Sequence, residues 1–217
     1  GNAVTTGVQN TLIGGLAGDA LTDADYNVAL GFQTLSTDTL GSRSTAVGFE
    51  ALRDQNFTTA TDSYNVAVGM QAGKSVTTGV ENTLIGGIAG DALTGASYNV
   101  AIGISALGSD TLGSRNVAIG GSSLNQQNFT TATNSYNVGV GYNTGQQITT
   151  GVNNTLIGGL AGDAFTDADY NVAIGSQALS LDTLGSRSVA IGHAVLQSQN
   201  FTSATDAYNT AVGFSAG

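Results

Sequence analysis

The 217 residues contain no proline, cysteine or tryptophan, one histidine and one methionine, and only 9% of them are charged. Without cysteine there is no thiol nucleophile, thiolate metal site or disulfide, and the redox compartment is left open. Five Lys and Arg stand against 15 Asp and Glu, and the resulting net charge of −10 repels phosphate backbones and anionic headgroups. Nucleic acid and membrane surfaces are therefore poor partners. No apolar run reaches the roughly 18 residues a membrane helix needs, and residue 1 is Gly rather than a Met followed by a basic and apolar leader. An export signal is expected outside this segment. The lone histidine, His193, occupies a slot taken by Phe32 and Ile104 in equivalent places. Nothing assembles a nucleophile, a base and an orienting group, so no catalysis is expected.

Glycine, by contrast, is abundant, and it recurs in one phrase. Twelve units begin at Asn10, Asn27, Ser44 and Asn65 and then again at intervals of 72 residues. Successive units start 17, 17, 21 and 17 residues apart, so the chain divides into super-repeats 1–72, 73–144 and 145–216 of one repeat domain, 1–217. Within a unit the first residue is Asn or Ser, the second Thr or Val, the third usually Ala or Leu, the fourth Ile, Val or Leu, and the fifth always Gly. Such β-branched runs lack the i, i+3, i+4 periodicity of a helix and read as short strands. Units this short leave no room for crossover helices. Stacking each strand on its equivalent in the next unit gives an all-β parallel β-solenoid or β-roll of twelve coils, a rod about 55 Å long.

Alternation puts the second and fourth slots on one face of the strand and the third and fifth on the other. Leu12, Leu84 and Leu156 in the third slot suggest that this barer face is also buried. A coil has a single interior, so the Ala, Gly and Leu face is expected to contact another chain. The fifth-slot glycine is expected to serve a positive φ, a close backbone approach, or both.

The phrases SVAIGHAV (188–195), NVAIGISAL (99–107), NVAIGSQAL (171–179) and STAVGFEAL (44–52) closely resemble the head repeat of trimeric autotransporter adhesins, the YadA-type head, with related runs in phage tail-fibre proteins. The likeness extends along the whole chain, although the coils are longer than the family's and carry insertions such as RDQNFTTATDSY (53–64). The resemblance implies a left-handed roll, a homotrimer around a common axis, and a non-catalytic role in an extracellular fibre at a cell surface or on a virion. The expected partners are the chain itself, side by side or end to end, and a surface receptor or glycan. Gly1, Gly73, Gly145 and Gly217 share one slot, so the segment reads as part of a longer fibre. The alternatives are a phage tail-fibre segment involved in host recognition and, ranked lower, a polysaccharide-processing β-solenoid enzyme. The enzyme would need carboxylates converging on one groove.

Three further features are candidates. Asp19, Asp23 and Asp25, repeated as Asp163, Asp167 and Asp169, offer oxygen ligands for a cation such as Ca²⁺. The middle copy keeps only Asp91, with Gly95 and Ser97 in place of the others, which favours solvated turns and no metal or other cofactor. Asn56, Asn128 and Asn200, each in NFT, and also Asn153, fit the N-glycosylation pattern. Thr pairs such as Thr77 and Thr78 recur once per super-repeat, too seldom for an ice-matching array. Finally, the residue before each unit runs Gln, Tyr, Arg, Tyr and then varies only at its first member. Stacking in register would sandwich Arg43 between Tyr26 and Tyr64, Arg115 between Tyr98 and Tyr136, and Arg187 between Tyr170 and Tyr208.

Overall fold

The computed structural model describes every residue from Gly1 to Gly217, and it contains strands and turns but no helix. Twelve three-residue strands, from Thr11–Ile13 to Thr210–Val212, form one sheet in chain order, each parallel to the next. Thr11 lies opposite Val28 and Thr45 opposite Val66, so the second slots of successive units pair throughout. The architecture is a parallel β-solenoid of about twelve turns. Of 121 backbone hydrogen bonds only 25 lie within strands, and most of the other 96 join neighbouring coils at their turns. The ladder thus continues around the coil, well beyond the strands.

Each coil is closed by backbone that ordinary residues avoid. In the unit from Asn99, Tyr98, Ser105 and Leu107 have φ of 63°, 54° and 53°, and the same places are left-handed in the other coils. Such conformations cost about 1–2 kcal/mol per residue outside glycine. The inter-coil hydrogen bonds offset that cost. The fifth-slot glycines have φ between 126° and 142°, which L side chains rarely adopt. At Gly103 a Cβ would also lie 2.6 Å from the carbonyl carbon and oxygen of Gly120, one coil on. Positive φ and close approach are both required there.

Asparagine in the first slot fixes the register. Asn99 is fully buried; its Oδ1 accepts the backbone N–H of Asn116 at 2.9 Å and its Nδ2 donates to the carbonyl of Gly113 at 3.0 Å. The same pair of bonds recurs at Asn27, Asn82, Asn154 and Asn171. An unpaired buried amide costs about 1–3 kcal/mol, so a slipped register is disfavoured at each of these coils.

The assignment of the two strand faces is the reverse of that expected from the sequence. The third-slot residues Ala29, Ala101, Leu84 and Leu156 are fully buried inside the chain itself, while second- and fourth-slot residues such as Val100 and Ile102 are only half buried on the outside. The interior is narrow, and its volume is shared across the coil. Where the third slot is Ala101, the ninth position is the buried Leu107; where it is Leu84, the ninth is Gly90. A Cβ on Gly90 would meet Leu84 Cδ2 and Leu93 Cδ1, each at 2.8 Å. Bulk never sits on both walls; where neither wall has it, at Ala67 with Gly73 and Gly139 with Gly145, leucines of the neighbouring coils fill the space, and each buried leucine contributes about 1.5–3 kcal/mol. The bare appearance of the third and fifth slots reflects a tight interior, and the Ala, Gly and Leu face is not available to another chain.

In the third unit of each super-repeat the wall opens for an insertion. Three two-stranded sheets, Gly41–Ser42 with Thr61–Asp62, Gly113–Ser114 with Thr133–Asn134, and Gly185–Ser186 with Thr205–Asp206, hold it. A buried carboxylate anchors each loop: Asp110 Oδ1 accepts the N–H groups of Gly113 and Phe129 at 3.0 Å, and Oδ2 accepts Gln127 Nε2 at 2.5 Å. Asp38 and Asp182 do the same with Gln55 and Gln199.

Candidate functional site

No pocket indents the rod, and no group of three His, Cys, Asp or Glu side chains is placed to hold a metal ion. The acidic turns are spread out, and four of their acids are bonded within the chain. Asp23 and Asp167 accept the hydroxyls of Thr6 and Thr150 at 2.5 and 2.7 Å, and Asp25 and Asp169 accept the N–H groups of Val8 and Val152 at 2.7 Å. Asp19 and Asp163 lie on the other side of the buried Leu21 and Phe165 from these partners in sequence. Burial raises the carboxyls of Asp163, Asp91 and Asp169 above the ordinary range, with the N–H of Val152 opposing the shift at Asp169.

The sequons sit in the anchored insertions. Asn128 and Asn200 are exposed and Asn56 is half buried; their Oδ1 atoms accept the hydroxyls of Thr111, Thr183 and Thr39 at 3.1 to 3.2 Å. Those threonines belong to a column that the Thr pairs only hinted at. Thr5, Thr22 and Thr39 stack on consecutive coils, as do Thr77, Thr94 and Thr111 and then Thr149, Thr166 and Thr183, so threonine is more regular here than once per super-repeat. Most of their hydroxyls are spent on carbonyls or Asn side chains of the next coil.

Two surfaces stand out. The first is the outer face of the twelve-stranded sheet. Its columns are the second slots (Thr or Val), the fourth slots (Ile, Val or Leu) and the residues after the fifth-slot glycines, which include Phe32, Phe49, Met70, Ile104, Tyr142 and Phe214. No Asp, Glu, Lys or Arg occurs anywhere in these columns. Phe32 stacks on Phe49 at 5.7 Å between ring centres and His193 on Phe214 at 5.1 Å, so the lone histidine is one rung of an apolar stripe. Ile104 is 65% exposed and Phe214 80%, so nothing in the chain covers this face.

The second surface is the turn column before each unit. Arg43, Arg115 and Arg187 lie over the rings of Tyr26, Tyr98 and Tyr170 at 4.6, 4.5 and 4.7 Å, as the stacked register requires. Only Arg43 also reaches the following ring, Tyr64 at 5.9 Å, so the sandwich is one-sided in the other two. The backbone here is left-handed at every coil, and the tyrosine rings are exposed. Asp62 and Asp206 bind the Nε atoms of Arg43 and Arg187 at 3.0 Å and raise both guanidinium pKa values. Glu50 forms a separate ion cluster with Arg53 and Lys74; its hydrogen bond from Gln71 and these cations hold its carboxyl below the ordinary range.

The carboxylates with the strictest role, Asp38, Asp110 and Asp182, were not among the sequence candidates. They were signalled by DTLGSR, which begins at each of them and is identical in all three copies, whereas two of the three candidate acids change in the middle copy. Compared with protein-family models, curated proteins and solved structures, the chain finds no match.

Proposed function

We propose that the chain is a structural and adhesive segment of an extracellular fibre in which three copies associate side by side. In this reading the coils of 17 or 21 residues wind left-handed, as in the trimeric autotransporter adhesin heads that the repeats resemble, and the assembly stands on a cell surface or a virion. The observation that carries it is the uncharged, half-exposed outer face of the sheet, which runs the length of the rod in a chain of net charge −10. Contiguous apolar surface of more than a few hundred Å² marks an interaction site. Twelve strands at about 4.8 Å give a stripe some 55 Å long, and a partner that matches it throughout must carry the same period. A second copy of this chain does. Closed association around an axis covers the face of every copy and leaves no sticky end, which favours a ring over an open stack. The segment's role is mechanical and adhesive rather than catalytic.

Light scattering at micromolar concentration should give three times the chain mass of 21.6 kDa. Ile102→Asp combined with Ile119→Asp, which puts charge on the outer face and leaves the interior untouched, should give monomers with the same strand-rich circular dichroism. A wild-type chain that stays a folded monomer would remove this reading.

A further inference from the structure

Four of the five Lys and Arg side chains bind a carboxylate: Arg43, Arg53, Lys74 and Arg187. Arg115 does not. The arginine and its two tyrosines are the same in all three super-repeats, but their surroundings differ. Asp206 binds Arg187 directly, and Asp169, with Asp167 beside it, adds to the negative field there. Asp62, Asp25 and Asp23 hold the same places in the first super-repeat. In the middle super-repeat those three places are Asn134, Ser97 and Gly95, so every one of the carboxylates is gone while the cation is kept.

The consequence is a cation without a counter-charge. Arg115 lies 4.5 Å over the Tyr98 ring, and its Nε makes one long bond, 3.3 Å, to Asn134 Oδ1. Its two terminal nitrogens have no protein partner, as in Arg43 and Arg187, but here no carboxylate sits at Nε to neutralise the guanidinium. The hydroxyls of Tyr64 and Tyr208 face Asp62 and Asp206 at 3.5 and 3.3 Å, whereas that of Tyr136 has no such acceptor. Tyr98 and Tyr136 are 43% and 50% exposed, and the rings stand two coils apart, about 10 Å. The electrostatic background is also mildest here: Glu81, Asp91 and the buried Asp110 are the only acids of residues 73–144, against Lys74 and Arg115. Glu81 is the one acid in the turn column, with the Tyr98 ring between it and Arg115.

We infer that Arg115, Tyr98, Tyr136 and Asn134 form a binding site for the carboxylate-bearing sugar of an acidic polysaccharide. A carboxylate matches the free fork of the guanidinium in bidentate geometry. The flat C–H face of a pyranose suits an exposed tyrosine ring, and the Tyr136 hydroxyl is left to bond a sugar hydroxyl. An acidic peptide finds less here: there is no pocket for its side chains, and the backbone is already bonded coil to coil. The inference names the ligand class of the adhesive surface proposed above and rests on that reading only for its biological use, because the site lies within one chain.

The test is to titrate sodium D-glucuronate into the full chain, following the Nε–H signals of its four arginines by NMR and tyrosine fluorescence, with glucose and acetate as separate probes. The Arg115 signal should shift while those of Arg43 and Arg187 stay in place, and glucose and acetate should bind much more weakly. Asn134→Asp, which restores the outer super-repeats' own arrangement and so keeps the fold, should weaken glucuronate by about tenfold or more. Asp206→Asn with Asp169→Ser should create a second site at Arg187, and Glu81→Gln should tighten the first. No shift at Arg115, or binding indifferent to Asn134→Asp, overturns the site. Acetate binding as well as glucuronate overturns the sugar. Light scattering on the same samples keeps the two proposals apart: a trimer that ignores glucuronate rejects this inference alone, and a monomer that binds it rejects only the assembly.

Discussion

The inner and outer faces of the same three-residue strands differ in what limits them. Inside, Ala101 is chosen because Leu107 fills the space across the coil, and Gly90 because Leu84 does. Where both walls are small, as at Ala67 with Gly73 and Gly139 with Gly145, leucines of the adjacent coils fill the space, so the inward residues have their explanation within the chain. Outside, Val100, Ile102 and Ile104 are apolar although nothing in the chain covers their face. The contrast separates what makes the rod fold from what the rod is for. The first-slot Asn or Ser and the fifth-slot Gly, which hold the register and the sharpest turn, hardly vary from unit to unit; residues that vary, such as those in the column of Phe32, Ile104 and His193, look outward.

The largest effect should come from crossing that boundary over one residue. Gly103→Val forces a φ of 131° on a β-branched side chain and drives its Cβ into the Gly120 carbonyl, so a loss of more than about 4 kcal/mol is expected. Its neighbour Ile104→Val, facing outward, should cost under about 0.5 kcal/mol. Thermal unfolding of both variants checks this, and equal melting temperatures would refute the account of the glycine.

A smaller effect distinguishes acids that differ only in side. Asp110→Asn replaces an acceptor of three bonds with an amide that turns a donor toward a donor, and Gln127 cannot flip to compensate because its Oε1 already accepts from Asn137 Nδ2. About 2–3 kcal/mol should be lost. Asp167→Asn, on an exposed turn with one threonine partner, should change stability by less than about 0.5 kcal/mol. Similar losses in the two would mean that the insertions are not held by the buried carboxylate.

The stacking of the coils and their register were legible because they depend on spacing, and spacing is printed in the sequence twelve times over. The Tyr–Arg column was legible for the same reason. Which face of the strand points inward was not, because alternation defines two faces without ranking them. Ala and Gly look like a surface until Leu107 and Leu35 are known to arrive from the opposite wall. Those leucines sit in left-handed backbone, φ 53° and 47°, where a sequence reading expects glycine, so the far wall of the coil stayed hidden. The threonine column was missed because Asn56, Asn128 and Asn200 take its place in the insertion coils and break the count.

Asp163 lies between the two classes and should give the smallest effect. It is half buried, and its Oδ1 is enclosed without a hydrogen-bond partner, so burial raises its pKa in the folded chain above the unfolded value. A raised carboxyl binds its proton more tightly when folded, so the site adds stability as pH falls from neutral through the folded-state pKa, and the gain levels off below the ordinary carboxylate value. Asp163→Asn mimics the protonated form at every pH. Its melting temperature should therefore exceed that of the wild type slightly at pH 7, and the difference should shrink toward pH 4. Asp91→Asn should behave likewise but less, because Lys74 partly offsets the burial of Asp91. A difference that is constant with pH, or a wild type that is the more stable at pH 7, would show that the Asp163 carboxylate is satisfied by a group outside the chain, and would move this position to the outward-looking class.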